Sequence, residues 1–280
     1  MSVSRRLLMK YIRTKFKLLS TLSKRKAAEK AFELFCTPQK RTIKKGLPVF
    51  DHAEKLHFTF QGNTIKGYRW NHPSDKKILI LHGYESSIVN FDQFIEPLVN
   101  KGYEVLGFDA MAHGASSGKM INVLLYKELI LQINDLYGPI QSFMGHSLGG
   151  LALSLALEDL PHDASFKSVF IAPATETTTA SDQLFQILKL DSAVRKEFDL
   201  LIQEKSGHPA SWFSAARASD NIKATVLWAH DKEDDMTPYK DIESIINSKH
   251  SNFKFLITEG LGHRRIYRNE KISREIIDFL

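Results

Sequence analysis

Short apolar segments and segments with helical periodicity alternate along the chain from residue 56 to its end. The apolar segments have the length of buried strands, and most are followed by a stretch whose apolar positions recur every three or four residues. Such alternation predicts a mostly parallel sheet with helices on both faces. The eight predicted strands are 56–60, 64–70, 77–82, 104–109, 139–145, 168–172, 224–230 and 253–258.

Two features depart from this alternation. Only Gln61, Gly62 and Asn63 separate the first two strands, which predicts a hairpin and hence an antiparallel edge on the sheet. Two insertions also lie between the predicted elements: a loop rich in Gly, Ala and Ser at 110–120, and a stretch of 48 residues at 174–221. The longer insertion contains helical runs at 182–190 and 194–203.

The first 48 residues form a separate segment, which we interpret as a basic arm and linker preceding a domain at 49–280. Apolar side chains recur at steps of three and four in 4–22, which predicts an amphipathic helix. Residues 1–45 hold 14 Lys and Arg but only two acids, Glu29 and Glu33, whereas the remainder is net acidic. Two roles stay open for the helix: it lies on an anionic membrane surface, or it packs on the protein's own body or on a partner subunit.

Charge and cysteine content exclude several classes of function. The acidic body leaves no basic surface outside the arm, so we expect no nucleic-acid partner. The single cysteine, Cys36, excludes an intrachain disulfide and a multi-cysteine metal site, and it fits a reducing compartment.

Residues 4–10 resemble a twin-arginine export signature, but Arg13, Lys15 and Lys17 interrupt the apolar region that such a signal needs. We therefore expect a cytoplasmic protein, with peripheral membrane contact through residues 1–45 left open.

One serine, Ser147, lies in the sequence Gly-His-Ser-Leu-Gly (145–149), where the fifth predicted strand meets a helix. Glycines at this junction let the strand and the helix come close while a sharp turn holds the serine in an unfavourable backbone conformation. The N-terminus of the helix favours negative charge, which suits an oxyanion. The pattern predicts an exposed serine nucleophile at the carboxyl edge of the sheet.

The serine motif and four others together resemble the α/β-hydrolase superfamily over residues 56–280. The other motifs are LHGY (81–84), GFDAMAHGASSG (107–118), LWAHDKEDDMTP (227–238) and EGLGHRRIY (259–267). The resemblance implies the α/β-hydrolase fold, an eight-stranded, mostly parallel sheet with a helical cap at about 174–221. It also implies an oxyanion hole formed by the backbone N–H groups of Tyr84 and Leu148. Asp109 and His113 are expected to shape the site from below and not to take part in the reaction.

The resemblance identifies the remaining catalytic residues as Asp234 and His263, in the family's order of serine, acid and histidine. Alignment of the LWAHDKEDDMTP motif with the family's acid loop selects Asp234, with Asp235 as the second candidate. The same alignment puts Asp231 where the family usually has glycine. His263 follows the last predicted strand in a turn that contains two glycines.

These residues predict a serine hydrolase that cleaves a carboxylic ester through an acyl-enzyme intermediate. The expected partner is a small-molecule acyl ester, and the mechanism requires no metal or organic cofactor. A thioesterase, an acylglycerol lipase or an aminopeptidase would use the same residues, and a non-catalytic member would bind a small ligand instead. Apolar residues in 174–221 favour an acyl or alkyl substrate. The length of the acyl chain and the oligomeric state stay open.

Overall fold

Eight strands form one sheet in the computed structural model, which describes residues 3–43 and 46–280. Residues 1, 2, 44 and 45, which belong to the predicted arm and linker, lie outside the described residues. The strand order is β1-β2-β4-β3-β5-β6-β7-β8. The strands are β1 (Glu54–Phe60), β2 (Asn63–Trp70), β3 (Lys77–Leu81), β4 (Glu104–Phe108), β5 (Ser142–His146), β6 (Lys167–Ile171), β7 (Thr225–Asp231) and β8 (Phe253–Thr258).

Strand directions confirm the predicted sheet. β2 is antiparallel to both β1 and β4, and every other neighbouring pair is parallel. The carboxyl ends of β3, β5, β7 and β8 therefore lie at the same edge, where open α/β sheets bind ligands. The loops that follow these four strands carry the LHGY, serine, acid and histidine motifs.

Twelve α-helices lie within the described residues. Several begin at a side chain that caps the first turn, as Asn122 does for the helix after β4 and Asn269 does for the last helix. The helices are α1 (Val3–Leu22), α2 (Lys24–Cys36), α3 (Pro48–Asp51), α4 (Asp92–Asn100), α5 (Val123–Tyr137), α6 (Leu148–Leu157), α7 (Thr177–Leu188), α8 (Ser192–Ser206), α9 (Ala215–Ser219), α10 (Glu243–Asn247), α11 (Gly262–Arg265) and α12 (Glu270–Phe279). None of the described helices has the length and apolar character needed to cross a bilayer.

The central strands of the sheet, β3 to β7, are buried on both faces, as their apolar sequences require. Ile78 and Ile80 of β3 belong to a core that also contains Phe94 of α4 and Ile276 of α12. Leu79 points to the opposite face because side chains alternate along a strand, and it is fully buried as well. A strand that is buried on both sides explains why β3 lacks the alternation of apolar and polar residues seen in β1.

The contacts divide the chain into two units: Met1–Thr37 with Glu176–Phe213, and Pro38–Thr175 with Ser214–Leu280. The second unit contains the whole sheet. The first contains α1, α2, α7 and α8. The division predicted from sequence, at 1–48 and 49–280, puts residues 1–37 and 176–213 into different domains. The structure groups these two segments in one unit.

Aromatic packing and ion pairs hold the first unit together. The ring of Phe198 in α8 contacts the rings of Phe32 and Phe35 in α2, with centroids 6.1 and 5.8 Å apart. The guanidinium of Arg25 donates to the carboxylate of Glu204 at 3.0 Å through Nη1. Small residues at 27, 28 and 31 are completely buried, which lets α2 approach its neighbours closely.

Candidate active site

Ser147 occupies a strained backbone position between β5 and α6. Its φ is 53° and its ψ is −121°, a conformation that costs a residue other than glycine on the order of 1–3 kcal/mol. The surrounding backbone holds it there. The Ser147 N–H donates to the carbonyl of Ile171 at 3.2 Å, and the Ser147 carbonyl accepts from the N–H groups of Leu151 (3.1 Å) and Ala174 (3.0 Å). Strain maintained in this way is typical of a functional side chain.

The glycines around Ser147 are required by close packing. A methyl group on Gly145 would lie 2.9 Å from the carbonyl oxygen of Gly149. One on Gly149 would lie 2.6 Å from the carbonyl oxygen of His82, and one on Gly150 would lie 2.7 Å from Cβ of Pro173. Any side chain at these positions would push the start of α6 away from the neighbouring strands, so the glycines allow the sharp turn at the serine.

The prediction that Ser147 is exposed is wrong, because only 9% of the residue is accessible. Gly83 packs directly on it: a methyl group at Gly83 would lie 2.7 Å from Cβ of Ser147. The segment that follows β6 covers it as well, through the hydrogen bond from Ala174. The serine therefore lies in an interior site and not on an open surface.

The two predicted oxyanion donors lie in two segments next to Ser147, Tyr84 in the LHGY turn and Leu148 at the start of α6. Tyr84 directly follows Gly83, the residue in contact with the serine, and its ring packs edge-on against His113 at 5.6 Å between centroids. Leu148 is the first residue of α6, and helix geometry gives its N–H no acceptor within the helix. Tyr84 follows Gly83 and Leu148 follows Ser147. Because Gly83 packs on Ser147, the two N–H groups belong to stretches of chain that contact each other.

Buried histidines shape the LHGY turn. Nδ1 of His82 donates to the carbonyl of Gly83 at 2.8 Å, while Nε2 accepts from the N–H of Ala110 at 2.9 Å. His113 accepts from the N–H of Glu85 at 2.9 Å, and burial lowers the pKa of His113 to about 3. Burial also lowers the pKa of His82. Both rings are neutral at physiological pH and serve as fixed hydrogen-bonding groups.

Asp109 has a supporting position as well. Its carboxylate accepts from the hydroxyl of Ser87 at 2.6 Å and from the N–H of Ala115 at 2.8 Å. Its backbone carbonyl accepts from the hydroxyl of Ser116 at 2.6 Å. These bonds join the 110–120 loop to the segment that follows the LHGY turn, which is the structural arrangement expected of Asp109 and His113.

His263 and Asp234 form a buried pair. Nδ1 of His263 lies 2.8 Å from Oδ2 of Asp234, and the two residues are 6% and 5% exposed. Burial alone would raise the pKa of Asp234, but the hydrogen bond and charge of His263 and two hydrogen bonds from Thr237 together lower it. Asp234 is therefore a carboxylate that accepts a hydrogen bond from the imidazole. Asp235, the second candidate, is exposed.

Thr237 contacts both members of this pair, and the sequence motifs did not identify it as a site residue. Its hydroxyl donates to Oδ2 of Asp234 at 2.8 Å and lies 3.2 Å from Nδ1 of His263. Its N–H donates to Oδ1 of Asp234 at 2.9 Å. An aspartate followed three residues later by a threonine is typical of a turn in which the carboxylate accepts from the N–H groups that follow it. That spacing was a usable signal for a contact between Asp234 and Thr237.

His146 connects the serine to the histidine turn. Nε2 of His146 donates to the backbone carbonyl of His263 at 3.1 Å, and the two rings are 4.7 Å apart. Burial, followed by the neighbouring charge of His263, lowers the pKa of His146 to about 3. The residue immediately before Ser147 is thus bonded to the turn that carries His263, the partner of Asp234.

Asp231, at the end of β7, takes part in a different set of contacts. It is fully buried, and its carboxylate accepts from the N–H of Glu233 (3.0 Å), the hydroxyl of Thr258 (2.7 Å) and the N–H of Leu261 (2.9 Å). It therefore ties the acid loop to the histidine turn, although it does not contact His263 through any of these bonds.

Comparison with known proteins agrees with this fold. The family model for serine aminopeptidase, S33, matches residues 72–218, which include Ser147 but not Asp234 or His263. The chain is 24% identical to the uncharacterized protein YqkD of Bacillus subtilis over 251 residues, which is 83% of this chain and 81% of that protein.

Solved structures share the fold. The esterase Pf2001 of Pyrococcus furiosus is similar with a TM-score of 0.65 and 20% identity, over 87% of this chain and 98% of that one. The thioesterase domain from the curacin biosynthetic pathway is similar with a TM-score of 0.59 and 15% identity, over 80% and 98%. The family match spans more than half of the chain, and the chain belongs to the serine aminopeptidase S33 family of α/β hydrolases.

Proposed function

We propose that this hydrolase cleaves carboxylic esters, with Ser147 as nucleophile, His263 as general base and Asp234 as the residue that orients it. The observation that carries the proposal is the strained Ser147, at φ 53°, whose preceding residue His146 is hydrogen-bonded to the carbonyl of His263, which itself pairs with Asp234 at 2.8 Å. A serine hydroxyl is inert without a base, and a histidine aligned by a buried carboxylate supplies one.

The first half of the reaction forms an acyl-enzyme. His263 takes the proton from the hydroxyl of Ser147 as the serine oxygen attacks the carbonyl carbon of the ester. The N–H groups of Tyr84 and Leu148 donate to the resulting oxyanion, and one such donor is worth on the order of 10²–10³ in rate. When the intermediate collapses, the alcohol departs with the proton held by His263.

The second half returns the enzyme to its starting state. A water molecule gives a proton to His263 and attacks the acyl carbon, and Ser147 leaves with that proton to release the acid. The lowered pKa of Asp234 supports this role, because an ionised carboxylate stabilises the imidazolium that forms in each half.

Both esterases and thioesterases are found among proteins with this fold, so the leaving group needs a direct test. A fluorophosphonate probe should label the wild type and not Ser147→Ala. A panel of p-nitrophenyl esters of increasing acyl length, matched acyl thioesters and aminoacyl p-nitroanilides then compares leaving groups at one acyl site. We expect the esters to have the highest kcat/KM. Labelling of Ser147→Ala would refute the assignment of the nucleophile, and a preference for anilides would refute ester hydrolysis.

A further inference from the structure

Helix α1 has two apolar faces, and only one of them is packed. Phe16 is 6% exposed, and Ile12 and Leu19 beside it are half-buried. Within the first unit α1 contacts α2 and α7. Other apolar side chains of the helix stay exposed: Leu7 at 63%, Leu8 at 56%, Tyr11 at 65%, Leu18 at 62% and Leu22 at 84%.

Four of the exposed side chains form one stripe. At about 100° per residue, Leu7, Tyr11, Leu18 and Leu22 lie within about 60° of each other around the helix axis. The stripe runs about 22 Å along the helix at 1.5 Å per residue. A single exposed leucine is ordinary, but a contiguous apolar stripe marks an interaction surface. We refer to these four residues as the outer stripe.

Basic residues flank the outer stripe on both sides. Lys10 and Lys17 lie on one side and Lys15 lies on the other, and all three are exposed. Arg13 is engaged elsewhere, because its Nε donates to the carbonyl of Ile187 at 2.8 Å. No acid occurs in α1, and the first acid of the chain is Glu29. The face therefore combines an apolar centre with uncompensated positive edges.

This combination selects among possible partners. A nucleic acid would satisfy the lysines but leave the outer stripe in water. A second copy joined by a two-fold axis would bring the same patch of each chain together, and hence set the lysines of one α1 against those of the other with no acid in either helix to pair with them. An anionic bilayer accepts both parts, since leucines enter the acyl region while lysines extend to the headgroups.

We propose that the outer stripe of α1 docks this protein on the surface of an anionic lipid bilayer. The helix lies in the plane of the interface with Leu7, Leu18 and Leu22 inserted, and Lys10 and Lys17 reach the phosphates beside them. This inference is independent of the ester hydrolysis proposed above, because none of these residues belongs to the Ser147 site.

Sedimentation with vesicles tests the proposal on the full chain. We expect the protein to pellet with vesicles that contain phosphatidylglycerol, to be released by high salt, and to remain in solution with phosphatidylcholine alone. Lys10→Gln with Lys17→Gln should weaken binding about 25-fold, since each basic residue near such a surface contributes a factor of about five. Leu18→Ser with Leu22→Ser should weaken it about 100-fold.

Matched variants separate docking from general effects. Leu136 is 51% exposed in α5, and Leu136→Ser should pellet as the wild type does. Ser147→Ala should also pellet normally, so that loss of turnover and loss of docking are read separately. Circular dichroism should show each Leu18 and Leu22 variant folded, because these side chains are exposed.

Three results would overturn the proposal. The first is equal pelleting with anionic and neutral vesicles, and the second is wild-type binding by the Leu18→Ser and Leu22→Ser double variant. The third is a dimer in sedimentation equilibrium that this double variant dissociates while the wild type fails to pellet with either vesicle. That last result would assign the outer stripe to a second copy of the chain.

Discussion

Replacing Asp231 by alanine should impair the site although this residue belongs to none of the catalytic positions proposed. Its buried carboxylate accepts hydrogen bonds from Glu233, Thr258 and Leu261. Glu233 directly precedes the acid of the proposed triad, and Leu261 lies two residues before His263. The carboxylate thereby sets the distance between the two loops that must bring Asp234 and His263 to 2.8 Å.

The magnitude follows from the donors that Asp231→Ala would leave unpaired. Each buried donor without a partner costs about 1–3 kcal/mol. Three of them, partly reached by water, give a loss of about 3–6 kcal/mol in the free energy of unfolding. A displacement of about 1 Å between reacting groups costs on the order of 10² in rate. We therefore expect a loss of 10- to 100-fold, as an order of magnitude, in kcat with little change in KM.

Protonation sets the pH range of this effect. Burial opposes ionisation of Asp231, but the hydrogen bonds from Thr258, Leu261 and Glu233, together with the nearby N–H of Gly262, outweigh it and lower its pKa. A carboxyl whose folded pKa lies below the unfolded value contributes stability above the unfolded pKa, and the contribution is lost as pH falls through the folded pKa. The difference between wild type and Asp231→Ala should be constant near neutral pH and shrink in acid.

Urea unfolding and steady-state turnover of a p-nitrophenyl ester measure both effects. Asp235→Ala is the matched control, because it removes an exposed carboxylate from the same loop and should change neither quantity. If Asp231→Ala retains wild-type stability and wild-type kcat, the carboxylate does not position the loops. If it loses stability but retains kcat, its role is confined to folding.

Three further predictions concern the site and its supports. Asp234→Asn should lower kcat about 10⁴-fold through the wrong imidazole tautomer, whereas Asp235→Asn should have no effect; equal losses in ester turnover would contradict the pairing. Gly149→Ala should lower the urea unfolding free energy by about 1–3 kcal/mol, since its methyl group meets backbone carbonyl oxygen at 2.6 Å, and wild-type stability would show that α6 can shift freely. The folded pKa values of His113 and His146, about 3, lie below the unfolded 6.5, so each contributes stability that is lost as pH falls from 6.5 toward 3. At pH 5 this amounts to about 2 kcal/mol for each histidine by linkage, and a flat unfolding free energy between pH 7 and pH 5 would contradict it.

The sheet was predictable because its signal is local. Each predicted strand is a run of apolar residues, and all eight appear in the structure within a few residues of the expected limits. The largest shift is in β5, which was expected from Pro139 and begins at Ser142. Proline has no N–H to donate to a neighbouring strand, so the ladder starts only after it.

The proposed triad was predictable for a different reason. Ser147, Asp234 and His263 each follow a strand in a short motif, and parallel strands bring their carboxyl ends to one edge. The resemblance to the family selects the three residues, and the parallel topology places the loops that carry them at one edge of the sheet. Neither gives the hydrogen bonds that align them, so the bonds made by Thr237, Asp231 and His146 came from the structure, although the spacing of Asp234 and Thr237 was a usable signal for one of them.

Helix α1 shows where periodicity stops being informative. Steps of three and four predict a helix with an apolar side, but the positions include Phe16 as well as Leu7 and Leu18, which lie on nearly opposite faces. Both faces satisfy the same spacing rule. Which one is covered depends on contacts with α2 and α7, and α7 lies more than 150 residues farther along the chain. The face left open is therefore a property of the folded unit, and the proposed docking uses its leucines and lysines because the packing occupies the other face.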